Sequence, residues 1–149
     1  MSASRDEKTH GRKIYSLYAM DRKAYADAAL EEAPVGQVLV KEAFHAEPIP
    51  DGTLPKDFPY LSSDDVDQLT TDHWIPYVKD DAGREFKAGD QGPLFLMMKF
   101  APDTPGTDQG WVYATIEDEV VTSAGAISSC IECHEDAPRD RQFGLPALK

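Results

Sequence analysis

The sequence predicts an α+β chain in which strands dominate and short helices flank them. Three observations carry this. Runs rich in β-branched and aromatic residues recur at 37–44, 94–100 and 111–116, a composition that suits a pleated, half-buried surface. An acidic, glycine-containing stretch at 80–83 separates two further short segments in the manner of a hairpin. Helical spacing of apolar residues is confined to 21–32, and a second short helix is expected at a Cys-x-x-Cys-His stretch, 130–134, near the C-terminus.

Taken in order, residues 1–11 read as a mobile polar leader and 12–149 as a single domain. Ile14, Tyr15, Leu17, Tyr18 and Met20 fit either a short helix or a half-buried strand. Asp21 is a good N-cap, and Ala24, Tyr25, Ala28, Ala29 and Leu30 recur at helical spacing until Pro34, so a helix over 21–32 is expected. Pro34, Val35 and Gly36 make a turn into the strand 37–44. Alternation there puts Val38 and Val40 on one face and Leu39 and Lys41 on the other. A lysine sharing a face with a leucine ordinarily snorkels to the strand's edge.

Residues 46–72 carry Pro48, Pro50, Pro55 and Pro59 among many aspartates and read as a long surface loop, relieved at most by a helical turn near 62–69. His73 and Trp74 close it, either as an anchor where the chain re-enters the core or as a cover over a bound group. The segments 74–78 and 84–87 form the hairpin. A turn at 89–93 then leads into 94–100, a nearly continuous apolar strand expected to be buried on both sides. A polar loop at 102–110, a strand at 111–116, a turn at 117–119 and a short return at 120–122 follow, and small residues at 123–129 lead into the cysteine motif.

That motif, Cys130-Ile131-Glu132-Cys133-His134, is the most specific chemical signal in the chain. Two thiols three positions apart can each add across one vinyl group of a haem, and the adjoining imidazole then lies beneath the iron as proximal ligand. The expectation is one covalent haem c held by Cys130 and Cys133, with His134 on the metal. A short helix lets both sulfurs and the ring meet one macrocycle. Cys130 and Cys133 are the only cysteines, so a zinc knuckle has no second pair of thiols, and a thiol redox pair needs no histidine after it. Both remain weaker alternatives. Met97, Met98 and His10 are candidate sixth ligands, the methionines doubling as ordinary core filler. Arg139 and Arg141, close in sequence to His134, pair with a haem propionate or with Asp136 or Asp140 at the surface.

A net charge of −12 and a pI of about 4.6 argue against nucleic acid or anionic lipid as partner. A redox partner protein, if there is one, would present a basic patch. No apolar run is long enough to span a bilayer, and 1–13 is polar. Covalent haem attachment resembles a process on the outer side of the bacterial inner membrane. The expected location is therefore the periplasm, with an export signal or anchor absent from this sequence.

The tyrosine-bearing first segment, the Ala-Tyr helix, Pro34-Val35-Gly36-Gln37-Val38-Leu39-Val40-Lys41-Glu42, Leu96-Met97-Met98-Lys99, Gly110-Trp111-Val112-Tyr113 and the late Cys130-Ile131-Glu132-Cys133-His134 together resemble the cytochrome P460 family. That family includes the P460 enzymes and the cytochromes c′-β. The stretch 46–93 is longer than the corresponding connection in the family. The resemblance implies a mainly antiparallel β-sheet with flanking short helices, a homodimer, and one five-coordinate haem c with His134 proximal. It also implies two functions. A c′-β-like protein binds nitric oxide or carbon monoxide on an apolar distal face, whereas a P460-type enzyme oxidises hydroxylamine through a haem joined to a lysine, for which Lys41 is the candidate. An electron carrier with Met97 or Met98 as sixth ligand is the third reading.

Overall fold

The structure, a computed structural model, describes residues 2–3, 13–27, 30–54, 77–79 and 84–143. In chain order these hold β1 (Ser2–Ala3), β2 (Lys13–Ala19), α1 (Arg22–Ala26), β3 (Val38–Pro48), β4 (Tyr77–Lys79), β5 (Glu85–Lys99), β6 (Trp111–Glu117), β7 (Val120–Gly125) and α2 (Ser128–His134). The sheet order is β1, β2, β3, β5, β6, β7, with β4 off this path against β5. The pairs β1/β2, β4/β5, β5/β6 and β6/β7 are antiparallel. A mostly antiparallel sheet with two short helices is the α+β architecture that the strand-rich segments predict. Among the described residues no helix is long and apolar enough to cross a membrane. The leader expected to be mobile is corrected at Ser2–Ala3, which pairs with Tyr15 and Ile14 of β2. The rest of the leader with His10, residues 55–72 of the expected loop, His73, Trp74 and the segment 80–83 lie outside the described residues.

Two compact units emerge, one of residues 1–15, 44–91 and 147–149, the other of 16–43 and 92–146. In the first, Ile14 is fully buried and the expected hairpin is present as the pairing of Tyr77 with Lys87 and Lys79 with Glu85. Here the expected loop at 46–72 is corrected at its start. β3 continues to Pro48, and the turn after it is tied down by buried Glu85, whose carboxylate accepts from Leu54 N at 2.9 Å and whose carbonyl accepts from Ile49 N. The expected turn at 89–93 is also corrected, because β5 runs unbroken through it. Gly89 serves close packing instead: a Cβ there would lie 2.5 Å from the Glu47 carboxylate.

The segment left open between helix and strand resolves as β2, Lys13–Ala19; in the second unit its Tyr18 donates to Glu42 of β3 at 2.9 Å. Asp21 caps α1 by accepting from Ala24 N, and buried Gln37 both accepts from Asp21 N and donates to its carbonyl. The helix is nevertheless shorter than the expected 21–32. It ends at Ala26 because Arg139, far along the chain, takes the carbonyls of Tyr25 and Asp27, while Asp140 accepts from Ala33 N at 2.8 Å. Tertiary contacts here override local helix propensity. Gly36, at φ +91°, completes the Pro34 turn.

The core of this unit is Tyr25, Leu39, Met97, Trp111 and Tyr113. On β5, Met97 is buried but Leu94 to Leu96 are only half-buried, so the strand is not covered on both sides as its apolar run suggested. β6 and β7 close through Asp118 and Glu119, both at positive φ, the two-residue geometry whose twist matches a hairpin. Gly110 is required at its place, since a Cβ would lie 2.6 Å from the Phe100 carbonyl.

Candidate functional site

The segment Cys130–His134 lies on α2, as its spacing predicts. No side chain caps this helix; the Ile127 carbonyl accepts from Cys130 N and Ile131 N instead. Residues three apart on a helix are neighbours on one side, which puts Cys130 and Cys133 on the same side of α2, both half-buried and neither in a disulfide. Ile127, Cys130 and Ile131 pack against the core cluster, so α2 is seated on the face that carries Leu39, Met97 and Tyr113. Burial pushes the Cys130 thiol up from its ordinary value, with the Cys133 charge adding to it and Ser129 opposing. A reactive redox cysteine needs the opposite shift, which weakens the thiol-redox alternative.

His134 is the most constrained member of the motif. Its Nδ1 lies 2.7 Å from the Arg141 carbonyl oxygen. A carbonyl can only accept, so Nδ1 carries the proton and Nε2 keeps its lone pair. The ring stands between Tyr113 and Phe143, with centroids 5.4 and 5.5 Å away. Burial is the first cause that lowers the imidazole's affinity for a second proton, and the Lys41 charge adds to it against the opposing bond to Arg141. A neutral imidazole with one nitrogen fixed and the other available is what a metal ligand requires.

The other expected site residues fall into distinct settings. Lys41 is half-buried on β3, on the same face as buried Leu39 and Ala43, and its charge helps to lower the proton affinity of His134. Met97 is buried in the core cluster opposite Tyr113, and Met98 is half-buried opposite Val112. Arg141 donates to Asp108 at 2.8 Å, and Arg139 donates to main-chain carbonyls. The surface pairing expected with Asp136 or Asp140 is thus replaced by buried Asp108 for Arg141 and by main-chain carbonyls for Arg139, and Asp140 belongs to Lys99. Among the described residues, Arg141 Nε and Gln142 Oε1 are buried without a hydrogen-bond partner, and no group of three or more His, Cys, Asp or Glu converges to hold an ion.

Asp108 and Lys99, near His134, escape the sequence reading, and Asp140 enters it only as a surface partner for arginine. Asp108 accepts from Tyr113 Oη at 2.7 Å as well as from Arg141. Burial first, then the bond to Asp108, holds the Tyr113 phenol far above its ordinary value, so it stays a donor. Lys99 and Asp140 form a second buried pair. The only hint in the sequence is that one of the two aspartates of the polar loop, Asp108, stands three residues before a tryptophan. No protein-family model matches the chain, and no curated protein matches it.

Proposed function

We propose that this chain is a monohaem c-type cytochrome of the c′-β kind, whose iron is ligated by His134 alone and takes a small diatomic ligand such as nitric oxide or carbon monoxide. The observation that carries the reading is the bond from His134 Nδ1 to the Arg141 carbonyl, next to two thiols on the same helical side. The donor set suits a haem: Cys130 and Cys133 would hold the macrocycle, and Nε2 of His134 would face the iron. The buried Arg141 Nε is a donor matched to the anionic oxygen of a propionate. When bound, the haem supplies an iron able to take a small ligand on the side away from His134. Met97 packs with Trp111 and Tyr113, which supports a core role and leaves no reason to adopt the methionine-ligated electron carrier. The same reading carries a periplasmic location, a homodimeric state and a redox partner protein as proposals.

A second reading, a P460-type enzyme acting on hydroxylamine, draws on Lys41, whose half-buried position on the Leu39 face and electrostatic reach to His134 keep it near the motif. The test is the absorption spectrum of the ferric and ferrous protein before and after carbon monoxide. A high-spin ferrous spectrum that converts on adding the gas supports the binding protein. A low-spin ferrous spectrum before any gas overturns it, and a strongly red-shifted ferrous Soret band moves the reading to the enzyme.

A further inference from the structure

The Arg141 carbonyl reaches His134 from a tight turn. Gln142 N donates to the Arg139 carbonyl at 2.6 Å, and the two residues between, Asp140 and Arg141, have φ of +39° and +64°. Neither is glycine, so the turn carries a backbone cost. The exposed Asp118–Glu119 turn also has positive φ at both residues, with no ion pair among the described residues, whereas here tertiary contacts bear on both residues. Each of the two is held by its own buried ion pair. Asp140 Oδ1 accepts from Lys99 Nζ at 2.9 Å and from Trp111 Nε1 at 3.1 Å, while its Oδ2 accepts from Ala33 N. Arg141 donates to Asp108 Oδ1, and Asp108 is itself fixed by the Tyr113 hydroxyl and by a reciprocal backbone bridge with Trp111.

We propose that the Asp108–Arg141 and Lys99–Asp140 pairs are a positioning device for His134: they hold the strained Asp140–Arg141 turn in the one conformation that aims the Arg141 carbonyl at Nδ1. Asp108 and Asp140 are then positioning residues that act through backbone geometry. They set which imidazole nitrogen bears the proton and how the ring is turned. The inference rests on His134 being the proximal ligand only for its consequence at iron; the positioning itself is a property of the polypeptide. Loss of the carbonyl partner makes the imidazole a poorer electron donor, which weakens the iron–histidine bond and favours the reduced metal.

The test has two arms. In the full chain labelled with ¹⁵N-histidine and expressed without haem, long-range ¹H–¹⁵N correlation reads the tautomer of His134. Wild type is expected to show Nδ1–H, and Asp108→Asn to shift toward the Nε2–H form that free imidazole prefers. Asp140→Asn is expected to do the same, and serves if Asp108→Asn does not fold. Arg141→Lys, which keeps the charge pair, retains Nδ1–H. Combining Asp108→Asn with Arg141→Gly restores it, because glycine accepts the positive φ without strain. In the haem-loaded protein, resonance Raman of the ferrous state should show the iron–histidine stretch at lower frequency in the folded aspartate variants, with a raised reduction potential. An unchanged Nδ1–H tautomer in a folded Asp108→Asn or Asp140→Asn protein overturns the proposal. Failure to find covalent haem overturns the cytochrome reading and leaves the first arm to decide this one.

Discussion

Lys99 Nζ lies 2.9 Å from Asp140 Oδ1 with the two side chains only 2% and 7% exposed, and it also donates to the Gln109 carbonyl and sits over the Trp111 ring. Two charges withdrawn this far from water are tolerable only as a pair, because an unpartnered buried ion keeps its desolvation cost without the attraction that offsets it. Lys99→Met should therefore destabilise the chain by about 3–5 kcal/mol. Urea unfolding followed by tryptophan fluorescence measures this, and a loss below about 1 kcal/mol, the size of an exposed pair, would show that the pair is solvated.

Thioether bonds survive treatment that strips a merely coordinated haem. Acid-acetone extraction should leave haem on the wild-type protein and remove it from Cys130→Ala/Cys133→Ala. Haem passing from the wild type into the organic layer would end the cytochrome reading.

If Met97 is core filler, its sulfur is dispensable to the iron. Met97→Leu and Met98→Leu should leave the ferrous spectrum and carbon monoxide binding unchanged, with a stability loss under about 1.5 kcal/mol for a swap that conserves volume. A change of spin state in either variant would assign that methionine to the metal.

Lys41 separates the two favoured functions. On the reading preferred here its amine is not bonded to the macrocycle, and tryptic digestion should release the Lys41 peptide separately from the Cys130–Cys133 haem peptide. Recovery of the two joined together would make the protein an enzyme candidate.

The setting of His134 makes a pH prediction for the haem-free chain. Burial lowers its affinity for a proton in the folded state below that of the unfolded state, near 6.5. The unfolded chain then binds more protons, so this contribution is fully present above about pH 6.5 and is lost as pH falls toward the folded value. Denaturation midpoints measured between pH 7.5 and 5 should fall with acidification, and His134→Gln should flatten that slope. An identical slope in the variant would place the titrating group elsewhere.

The strands were legible because their signals are local. The β-branched run at 38–44, the acidic, glycine-containing stretch that separates β4 from β5 in the sequence, and the aromatic run of β6 each announce themselves within a few residues, and the Cys-x-x-Cys-His spacing announces α2. What misled was locally correct but globally outvoted. Gly89 and Pro93 look like turn residues, yet β5 runs through both, with the Glu47 side chain of another strand lying over Gly89. Helix-forming residues after Ala26 do not continue α1, because its end is taken by Arg139, 112 to 114 positions away. At the candidate site, Cys130, Cys133 and His134 were readable as a motif. The groups that orient His134 were not, because Asp108, Lys99 and Asp140 are ordinary surface residues by type and acquire their roles only through burial among distant partners.

The Arg139–Gln142 turn also has a meaning in time. As the chain is made from its N-terminus, Ala33 and the end of α1 wait more than a hundred residues for Asp140 and Arg139, and Lys99 waits 41 for its carboxylate. Each of these contacts closes only after residues 139–142 have emerged. The imidazole of His134 therefore acquires its fixed orientation later than its own synthesis, so a chain cut between His134 and Arg141 carries both thiols but lacks the seat for its ligand.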